Sequence, residues 1–458
     1  MRRCLAIASQ TITAAFRFRT VIAVIFLLLI CVAGLPFVIR HNGTARMYAQ
    51  VMLTYNLSAV TGLLAFTTLW LACGTLAGEI AGGQLQMVAI KPVARWQIWL
   101  GKWLGILAVN AFLLGVAAVF IYMFMLWRAR ELSPEQQAVL RHEVLVARGG
   151  LREAPVDFEP EVERLYQLRR NDQAVRDLDP QFVKQGLRAL VKAQLETVAP
   201  NYRRLWDLDL GPRRFFLRDQ QMSLRVKFYS AVKSESGLFN TVWVIGDVPS
   251  GRFQRLPQPM AADSFQEFTI VPNLFSPDGR LHIECENRDV TTLLFPVDGG
   301  LELLYPEGSF GLNYARGVGV IFCWLALLAA MGLAAATFLS FPVAALLTLM
   351  LLFVGLSGGL FAQVVDEGTA LGLNHDTGQP ESATLDRLYL PVFRTVSFAV
   401  NKITSFSPIA ALATGRSIGW LDLGQAALQI IVLAGGVFAL AGIFILKRRQ
   451  LGQQSLVN

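Results

Sequence analysis

Long apolar segments alternate with charged ones along this chain, and the alternation predicts its architecture. Six uncharged segments are each about long enough to cross the roughly 30 Å hydrocarbon core of a bilayer as a helix. A long charged segment separates the third of them from the fourth. The pattern therefore predicts an α-helical polytopic membrane protein with six transmembrane helices and one large insertion. The six segments cover residues 20–39, 57–77, 103–127, 317–339, 342–361 and 423–446.

The first half of the insertion, residues 133–200, has the period of helices. Ser133 to Gln136 form a capping box with proline in the first turn, and Gly149-Gly150 is expected to end this helix. Asp179-Pro180 begins a second helix with an apolar stripe. Such a stripe is more often part of a core than a binding face. Its members are Val183, Leu187, Leu190 and Leu195.

The second half of the insertion, residues 213–306, has the period of strands. Leu224, Val226 and Phe228 alternate with polar residues, and the same alternation recurs at Leu281, Ile283 and Cys285. Further short strands are expected at residues 239–245, 265–271 and 301–305, and Asp278-Gly279 is a turn signal. Several short strands at regular spacing predict a β-sandwich. The whole insertion, residues 128–314, is therefore expected to be an α+β domain.

The N-terminal tail carries Arg2, Arg3, Arg17 and Arg19 and no acidic residue. If it is helical, one side of it presents apolar and small residues, which predicts an interfacial helix on the inner membrane surface. A cleaved signal peptide is the alternative. It is less favoured, because the following apolar run is long enough to span a bilayer and has no small-residue cleavage site after it. The side in question is formed by Ile7, Thr11, Ala15 and Phe18.

Basic residues in the short loops predict the orientation. The tail, the loop containing Lys91, Arg95 and Lys102, and the terminal residues 447–449 fall on one side of the predicted spans. The positive-inside rule makes this side cytoplasmic, although two arginines after the first span lie opposite. Both termini are therefore expected in the cytoplasm of a bacterium, with the protein in its inner membrane and the insertion outside.

This topology divides the chain into three regions. Residues 1–127 hold the interfacial helix, three spans and the cytoplasmic loop 78–102. The extracytoplasmic insertion 128–314 follows, and residues 315–458 hold three further spans. Within the last region, the exterior loop 364–422 is expected to form short helices, one of them amphipathic and another beginning at Ser407-Pro408. Packing of these helices onto neighbouring spans is favoured over a gate or lateral exit.

Composition agrees with a membrane protein that carries a sizeable soluble insertion. Hydrophobic residues make up 54% of the chain and charged residues 16%, which is too apolar for a soluble protein and too charged for membrane helices throughout. The net charge of +8 is attributed to membrane-adjacent arginines and lysines and not to a nucleic-acid surface. Cys285 is the one cysteine in the insertion and is expected to be a buried small hydrophobe.

The loop 78–102 is the most distinctive charged segment between two apolar runs. Leu85, Val88 and Ala89 have the spacing of a short helix, which Lys91-Pro92 interrupts before a second helix begins. In that second helix three tryptophans share a face, as is typical where a helix passes from the headgroups into lipid. From these residues alone, an ordinary interfacial loop is an equally good interpretation. The tryptophans are Trp96, Trp99 and Trp103.

Seven residues of this loop resemble the cytoplasmic loop of type-2 ABC exporter permeases. In that family, an acidic residue, a Gly-Thr-like turn and a Lys-Pro-x-x-Arg run precede the third membrane helix. Here Gly83-Gln84 stands where Gly-Thr is commoner. The resemblance covers the membrane part of the chain and not residues 129–313. The matching residues are Glu79, Gly82, Gly83, Lys91, Pro92, Arg95 and Lys102.

The resemblance implies a permease subunit and not an enzyme. The loop would be a coupling element that seats in a groove of a separate ATP-binding subunit. The protein would work as a dimer of six-span halves, with itself or a similar permease, and ATP and Mg²⁺ would bind only the partner ATPase. The uncharged spans suit an amphipathic or envelope-related cargo.

Residues for catalysis or for binding a cofactor are hard to find in the sequence. No phosphate-binding P-loop is present, and the four histidines have no metal-ligand spacing. The spans contain no carboxylate, which disfavours an ion-coupled transporter; Asn110 is expected to bond a neighbouring helix. An intramembrane enzyme therefore lacks a candidate catalytic pair. The main alternative is a non-transporting membrane anchor whose sandwich binds a glycan or an envelope protein.

Overall fold

The computed structural model describes residues 2–17, 20–38, 44–89, 93–140, 144–154, 156–170, 172, 180–230, 232, 237–297, 299–367 and 383–449. The chain forms two compact units, which we describe separately. The helical unit comprises Met1–Ala147 with Ser309–Asn458, and the β unit comprises Arg148–Gly308. The β unit begins later and ends earlier than the insertion 128–314 expected from hydropathy.

The helices are numbered in chain order. They are α1 (Arg2–Arg17), α2 (Thr20–Val38), α3 (Ala45–Ala81), α4 (Gln84–Ala89), α5 (Arg95–Arg128), α6 (Pro134–Val139), α7 (Glu159–Arg169), α8 (Pro180–Glu196), α9 (Arg214–Leu217), α10 (Phe310–Ala336), α11 (Phe341–Leu356), α12 (Gly358–Glu367), α13 (Ala383–Thr404), α14 (Pro408–Ala413), α15 (Trp420–Ala426) and α16 (Gly435–Arg448), with a π-helical segment, Ala427–Ala434, joining the last two.

Four helical stretches in the described part of the chain are long and apolar enough to cross a membrane: Met47–Ala81, Arg95–Glu131, Phe310–Ala336 and Trp420–Arg448. Two bent pairs raise this number to six if each pair is one span. These are α1 with α2, bent by 64°, and α11 with α12, bent by 53°. The prediction of several long apolar helices, as in a membrane protein, is therefore confirmed. The first predicted span, 20–39, corresponds to α2, whereas α1 is the segment predicted as an interfacial helix; the fifth, 342–361, corresponds to α11 and the first turn of α12.

Two helices extend well beyond their predicted spans. Helix α3 has 37 residues and α5 has 34, because polar and small residues at their ends continue the helical hydrogen bonding past the apolar run. As a result, Glu79 lies in the last turn of α3, and residues 95–102 of the predicted coupling loop are the beginning of α5.

The segment before the last span contains the expected helices. The amphipathic helix is longer than predicted, because α13 has 22 residues and continues through Pro391. Helix α14 begins at Pro408, with Ser407 as its N-cap residue. The turn after α14 is held by Asn313 of α10. The Asn313 side-chain amide donates to the Arg416 carbonyl at 2.7 Å and accepts from the backbone N–H of Ile418 at 2.7 Å. Residues 368–382 of the predicted loop lie outside the described residues.

The strands of the β unit are numbered in the same way. They are β1 (Val146–Leu151), β2 (Thr197–Val198), β3 (Arg203–Asp209), β4 (Met222–Val226), β5 (Tyr229–Ser230), β6 (Leu238–Asp247), β7 (Arg252–Ala261), β8 (Gln266–Ile270), β9 (Arg280–Asn287), β10 (Leu293–Leu294) and β11 (Leu301–Ser309).

The strands form two four-stranded sheets and one small sheet. The orders are β1-β11-β4-β8, β3-β9-β6-β7 and β2-β10-β5. Both larger sheets contribute to one core, in which Leu224 and Leu303 of the first sheet share a cluster with Trp243 and Ile283 of the second. Their inward residues are those that the alternation identified. This arrangement fits the predicted β-sandwich.

Helices α7 and α8 of the β unit form a smaller cluster. Val162, Leu187 and Val191 are buried there, whereas Leu190 and Leu195 of the predicted stripe are 40% and 39% exposed. The stripe therefore packs mainly against α7 at its centre.

One predicted helix end in the insertion is wrong. Gly149 and Gly150 lie in strand β1 and not at the end of a helix, and the preceding helix, α6, is capped by Ser133 but ends at Val139. A Cβ atom on Gly149 would overlap the ring of Tyr305, and one on Gly150 would overlap the Glu302 carboxylate. The two glycines therefore allow β1 to lie close to β11.

Cys285 is fully buried in this core, as expected. Burial raises the pKa of its thiol above the ordinary range. A thiol held in its neutral form is a poor nucleophile, which favours a packing role.

Candidate functional site

An ion pair joins the two helices that flank the predicted coupling loop. The Lys102 Nζ atom of α5 donates to the Glu79 Oε1 atom of α3 at 2.6 Å. The Lys102 side chain is 4% exposed and the Glu79 side chain 29% exposed. Charge-assisted hydrogen bonds of this kind are short and strong when they are shielded from water. The pair therefore ties the end of α3 to the second turn of α5.

The glycine pair after α3 forms the turn into α4. The backbone N–H of Gly82 donates to the Gly78 carbonyl at 2.8 Å, and that of Gly83 donates to the Ile80 carbonyl at 3.3 Å. Gly83 has a φ of +69°, a left-handed conformation that glycine adopts without steric cost. This is the glycine C-cap expected where a helix ends abruptly. The departure from Gly-Thr at Gly83-Gln84 is thus compatible with a tight turn.

Two apolar side chains of α4 that the structure describes differ in exposure. Leu85 is 1% exposed and Met87 is 65% exposed. A single exposed apolar side chain is common on protein surfaces, so Met87 provides an accessible position at which a contact can be tested. Lys91 and Pro92 lie outside the described residues.

Arg95 makes contacts that the sequence did not suggest. Its Nη1 atom donates to the backbone carbonyls of Leu446, Lys447 and Arg449 at 2.5, 2.7 and 2.9 Å. The last carbonyls of a helix have no partner within the helix and carry partial negative charge. Arg95 therefore caps the end of α16.

The end of α16 has a second anchor. The Arg449 Nη1 atom donates to the Thr337 carbonyl, at the end of α10, at 2.6 Å. The first turn of α5 is thereby linked to the ends of two further apolar helices. Only the excess of basic residues at positions 447–449 was recognised in the sequence, and it was used to predict topology.

Helix α1 packs on α5 at two glycines. A Cβ atom on Gly101 would lie 2.8 Å from Ile7 Cβ, and one on Gly105 would lie 2.7 Å from Thr11 Cβ. The opposing face of α1 is made of small residues, and Cys4, Ala8, Thr11 and Ala15 are buried there. Small residues spaced four apart permit close approach of membrane helices. The Gly-x-x-x-Gly spacing at 101–105 was the available signal, and the sequence analysis did not use it.

The tryptophans of α5 do not share a lipid-facing surface as predicted. Trp96 is 42% exposed, but Trp99 is 1% exposed. The Trp103 Nε1 atom donates to the Ala326 carbonyl of α10 at 3.0 Å. Trp99 and Trp103 therefore hold α5 against neighbouring helices. The hydropathy pattern could not distinguish this burial from lipid contact, since both environments are apolar.

A cavity of about 700 Å³ lies beside the ion pair. Helices α1, α3, α4 and α5 all contribute to its lining, which includes Glu79 and Lys102. The site thus combines a shielded ion pair, a rigid turn with an exposed helix, and a cavity of the size that binds small molecules.

No protein-family model matches this chain, and comparisons with curated proteins and with solved structures likewise find no match.

Proposed function

We propose that this protein is the permease subunit of an ATP-binding-cassette exporter of the type-2 class, in a bacterial inner membrane. The proposal rests on the resemblance of residues 79–102 and on one structural observation. That observation is the shielded Glu79–Lys102 pair, which joins the end of α3 to the beginning of α5, the two long helices on either side of the short helix α4. A plain interfacial loop has no need of a shielded ion pair at its base.

The contacts of the loop offer a route for transmitting force. A push on α4 would reach α3 through the glycine turn and α5 through the ion pair. From α5 it would reach α16 through Arg95 and α1 through Gly101 and Gly105. Displacements of packed elements propagate in this way because helices move as rigid bodies. ATP-driven closure of a partner ATPase pair would then rock two permease copies and open a path between them.

This role assigns the chemistry to the partner. ATP and Mg²⁺ would be held by the separate ATPase, and the permease would supply no catalytic residue. Both termini and α4 would be cytoplasmic, and the β unit extracytoplasmic. The cargo would be amphipathic or related to the envelope.

The exposed side chain of α4 supplies the test. Met87→Glu places a charge on the proposed contact surface without disturbing a buried residue, and it is expected to abolish co-purification of the P-loop ATPase that we expect to co-elute with the wild-type protein. Val290→Glu is the control, because Val290 is 89% exposed in the β unit. Charged side chains at the centre of an apolar contact typically cost a few kcal/mol of binding energy. Wild-type yield of the ATPase with Met87→Glu would count against the coupling role.

A membrane anchor remains the second candidate, and one observation favours it. Phe215 and Phe216 of α9 are 73% and 79% exposed and are flanked by Arg213, Arg214 and Arg218. Exposed aromatic residues with arginines are enriched at protein interfaces. Failure of any ATPase to co-elute with the wild-type protein, together with capture of a glycan or envelope protein by the β unit, would support this function.

A further inference from the structure

The cavity beside the ion pair has walls of two kinds. Trp70 and Ile7 are among its apolar lining residues, and Gln10, Glu79 and Lys102 are among its polar ones. Sites for small amphiphiles combine a mainly apolar lining with a few polar groups that fix orientation. The cavity therefore suits a molecule with an apolar part and a charged end.

The charged wall has hydrogen-bonding capacity to spare. A lysine ammonium has three N–H donors, and within the described part of the chain Lys102 uses one of them, on Glu79. Its side chain is 4% exposed, so the other donors are shielded from bulk water. The Glu79 carboxylate likewise accepts one bond in the described structure and has room for a second donor. A cation and an anion therefore stand side by side with capacity for further partners.

The surroundings favour a membrane lipid as the occupant. The cavity lies at the ends of two apolar helices, α3 and α5, where the sequence changes from apolar to charged. Trp70, which lines it, is 53% exposed and packs edge-on against Phe341 at 4.8 Å. Trp70 lies within the predicted span 57–77, whereas Glu79 lies just beyond the end of that span. The apolar wall of the cavity is therefore at the depth of acyl chains and its charged wall at the depth of headgroups, as a phospholipid requires.

We propose that this cavity binds a bilayer phospholipid with a phosphoethanolamine headgroup, its phosphate on Lys102 and its ammonium on Glu79. The headgroup carries a negative phosphate and a positive ammonium, so each of its charges can face the opposite charge of the protein, Lys102 or Glu79. An anionic headgroup without the ammonium would instead bring its phosphate close to the Glu79 carboxylate, which is unfavourable. This inference goes beyond the proposed function, since it needs the bilayer but no ATPase.

Glycine 78 allows the cavity to be filled from α3. Gly78 lines the cavity, and a Cβ atom there would meet no other atom within 4 Å. Gly78→Leu should therefore occupy the lipid site without a clash inside the protein. Gly62→Leu is the matched control, because Gly62 lies on the same helix, also faces open space and is not among the residues lining the cavity. Both substitutions bring the same gain in helix propensity.

The measurement is native mass spectrometry of the full chain, delipidated in mild detergent and titrated with dioleoyl-phosphatidylethanolamine. We expect one tightly held lipid per chain in the wild type and in Gly62→Leu, and about tenfold weaker retention in Gly78→Leu, since steric exclusion of a few contacts is worth at least one decade of affinity. Equal retention by all three proteins, or none by the wild type, would overturn the proposal. If Gly78→Leu does not accumulate, Ala14→Phe fills the same cavity from α1.

A second titration tests the headgroup. Dioleoyl-phosphatidylglycerol should bind the wild type about tenfold more weakly than phosphatidylethanolamine, because it lacks the ammonium that Glu79 would accept from. Glu79→Gln should remove most of this preference. Equal affinity of the wild type for the two lipids would show that the cavity holds acyl chains only and would overturn the assignment. No ATPase is present in these experiments, so their failure is separate from failure of the coupling role.

Discussion

Two buried tryptophans, one in each unit, each stack on another tryptophan but differ in the hydrogen bonding of the indole nitrogen. Trp243 of the β unit is stacked on Trp206, with ring centroids 5.9 Å apart, and its Nε1 atom donates to Thr241 Oγ1 at 3.0 Å. Trp99 of the helical unit is equally buried, but its Nε1 atom has no hydrogen-bond partner among the described residues. It lies so close to α16 that a Cβ atom on Gly442 would be 2.7 Å from it.

The difference follows from the solvent of each unit. In water, burial of large aromatic side chains drives folding, and their polar atoms must find partners. Between membrane helices there is no comparable hydrophobic drive, so close approach at small residues supplies the packing energy. The β unit should therefore depend on its aromatic residues and the helical unit on its glycines. The glycines at which an added Cβ atom would lie within 2.8 Å of a neighbouring helix are Gly101, Gly105, Gly317, Gly332, Gly358 and Gly442 among the described residues.

The largest effect is expected from Trp243→Ala. Trp243 is fully buried and also contacts Phe268 and Phe295, with ring centroids 5.7 and 6.1 Å away. Truncation of a buried tryptophan typically costs about 3–5 kcal/mol. Hydrogen exchange on the full chain should show this loss in the amides of β6 and β9 and not in α10. Tyr202→Ala, at a side chain that is 70% exposed, is the control. Unchanged hydrogen exchange in β6 would contradict the dependence of the β unit on its buried aromatic residues.

The sequence predicted the interior of the β unit better than its edges. The strands with clean alternation, including β4 and β9, are present, because one face of each is buried. Strand β7 was missed because Pro257 and Pro259 interrupt its pattern. It pairs with β6 over ten residues and lies at the edge of its sheet, where a missing N–H costs least. The Asp278-Gly279 turn exists, but the strands on either side of it, β8 and β9, pair with other strands.

A smaller effect is expected from Glu79→Gln, which tests the one shielded ion pair of the coupling site. Removing the carboxylate's charge leaves the Lys102 ammonium buried without a counter-ion, at a cost of about 3 kcal/mol. Lys102→Met should cost less, because the remaining Glu79 side chain is 29% exposed and can reach water. Unfolding in mixed micelles with increasing SDS would measure both.

A matched pair in the β unit sharpens this test. Arg188 and Glu159 form an ion pair whose side chains are 47% and 54% exposed, and exposed pairs contribute little. Glu159→Gln is therefore expected to leave the unfolding of the β unit unchanged. Equal effects of Glu79→Gln and Lys102→Met in the helical unit would contradict the shielded position of Lys102.

The coupling site was only partly predictable from the sequence. Glu79, Gly82, Gly83 and Lys102 were identified by their motif, and the structure brings the two charged residues into contact. The role of Arg95 was not predictable, because its partners are backbone carbonyls 351 to 354 residues away. Every residue has a backbone carbonyl, so the residue types at these positions do not indicate the contact. The buried faces of the long helices were also hidden, since lipid and protein interior select the same apolar residues.

The smallest effect is expected from Gly105→Leu, which tests whether glycine contacts hold α1. A Cβ atom on Gly105 would lie 2.9 Å from the Ala8 carbonyl oxygen, so α1 must move away. Overpacking of this kind typically costs about 1–3 kcal/mol. Cys4, which is 6% exposed on the packed face of α1, should then react faster with a membrane-permeant maleimide, as located by mass spectrometry.

Gly115→Leu on the same helix is the matched control, because a Cβ atom on Gly115 meets nothing within 4 Å. It adds the same side chain and the same gain in helix propensity, so any difference between the two variants reports the contact with α1. Labelling of Cys4 at the same rate in Gly105→Leu, Gly115→Leu and the wild type would mean that α1 is held by something other than the glycines. The hypothesis that close approach at glycines holds the helical unit together would then be wrong for α1.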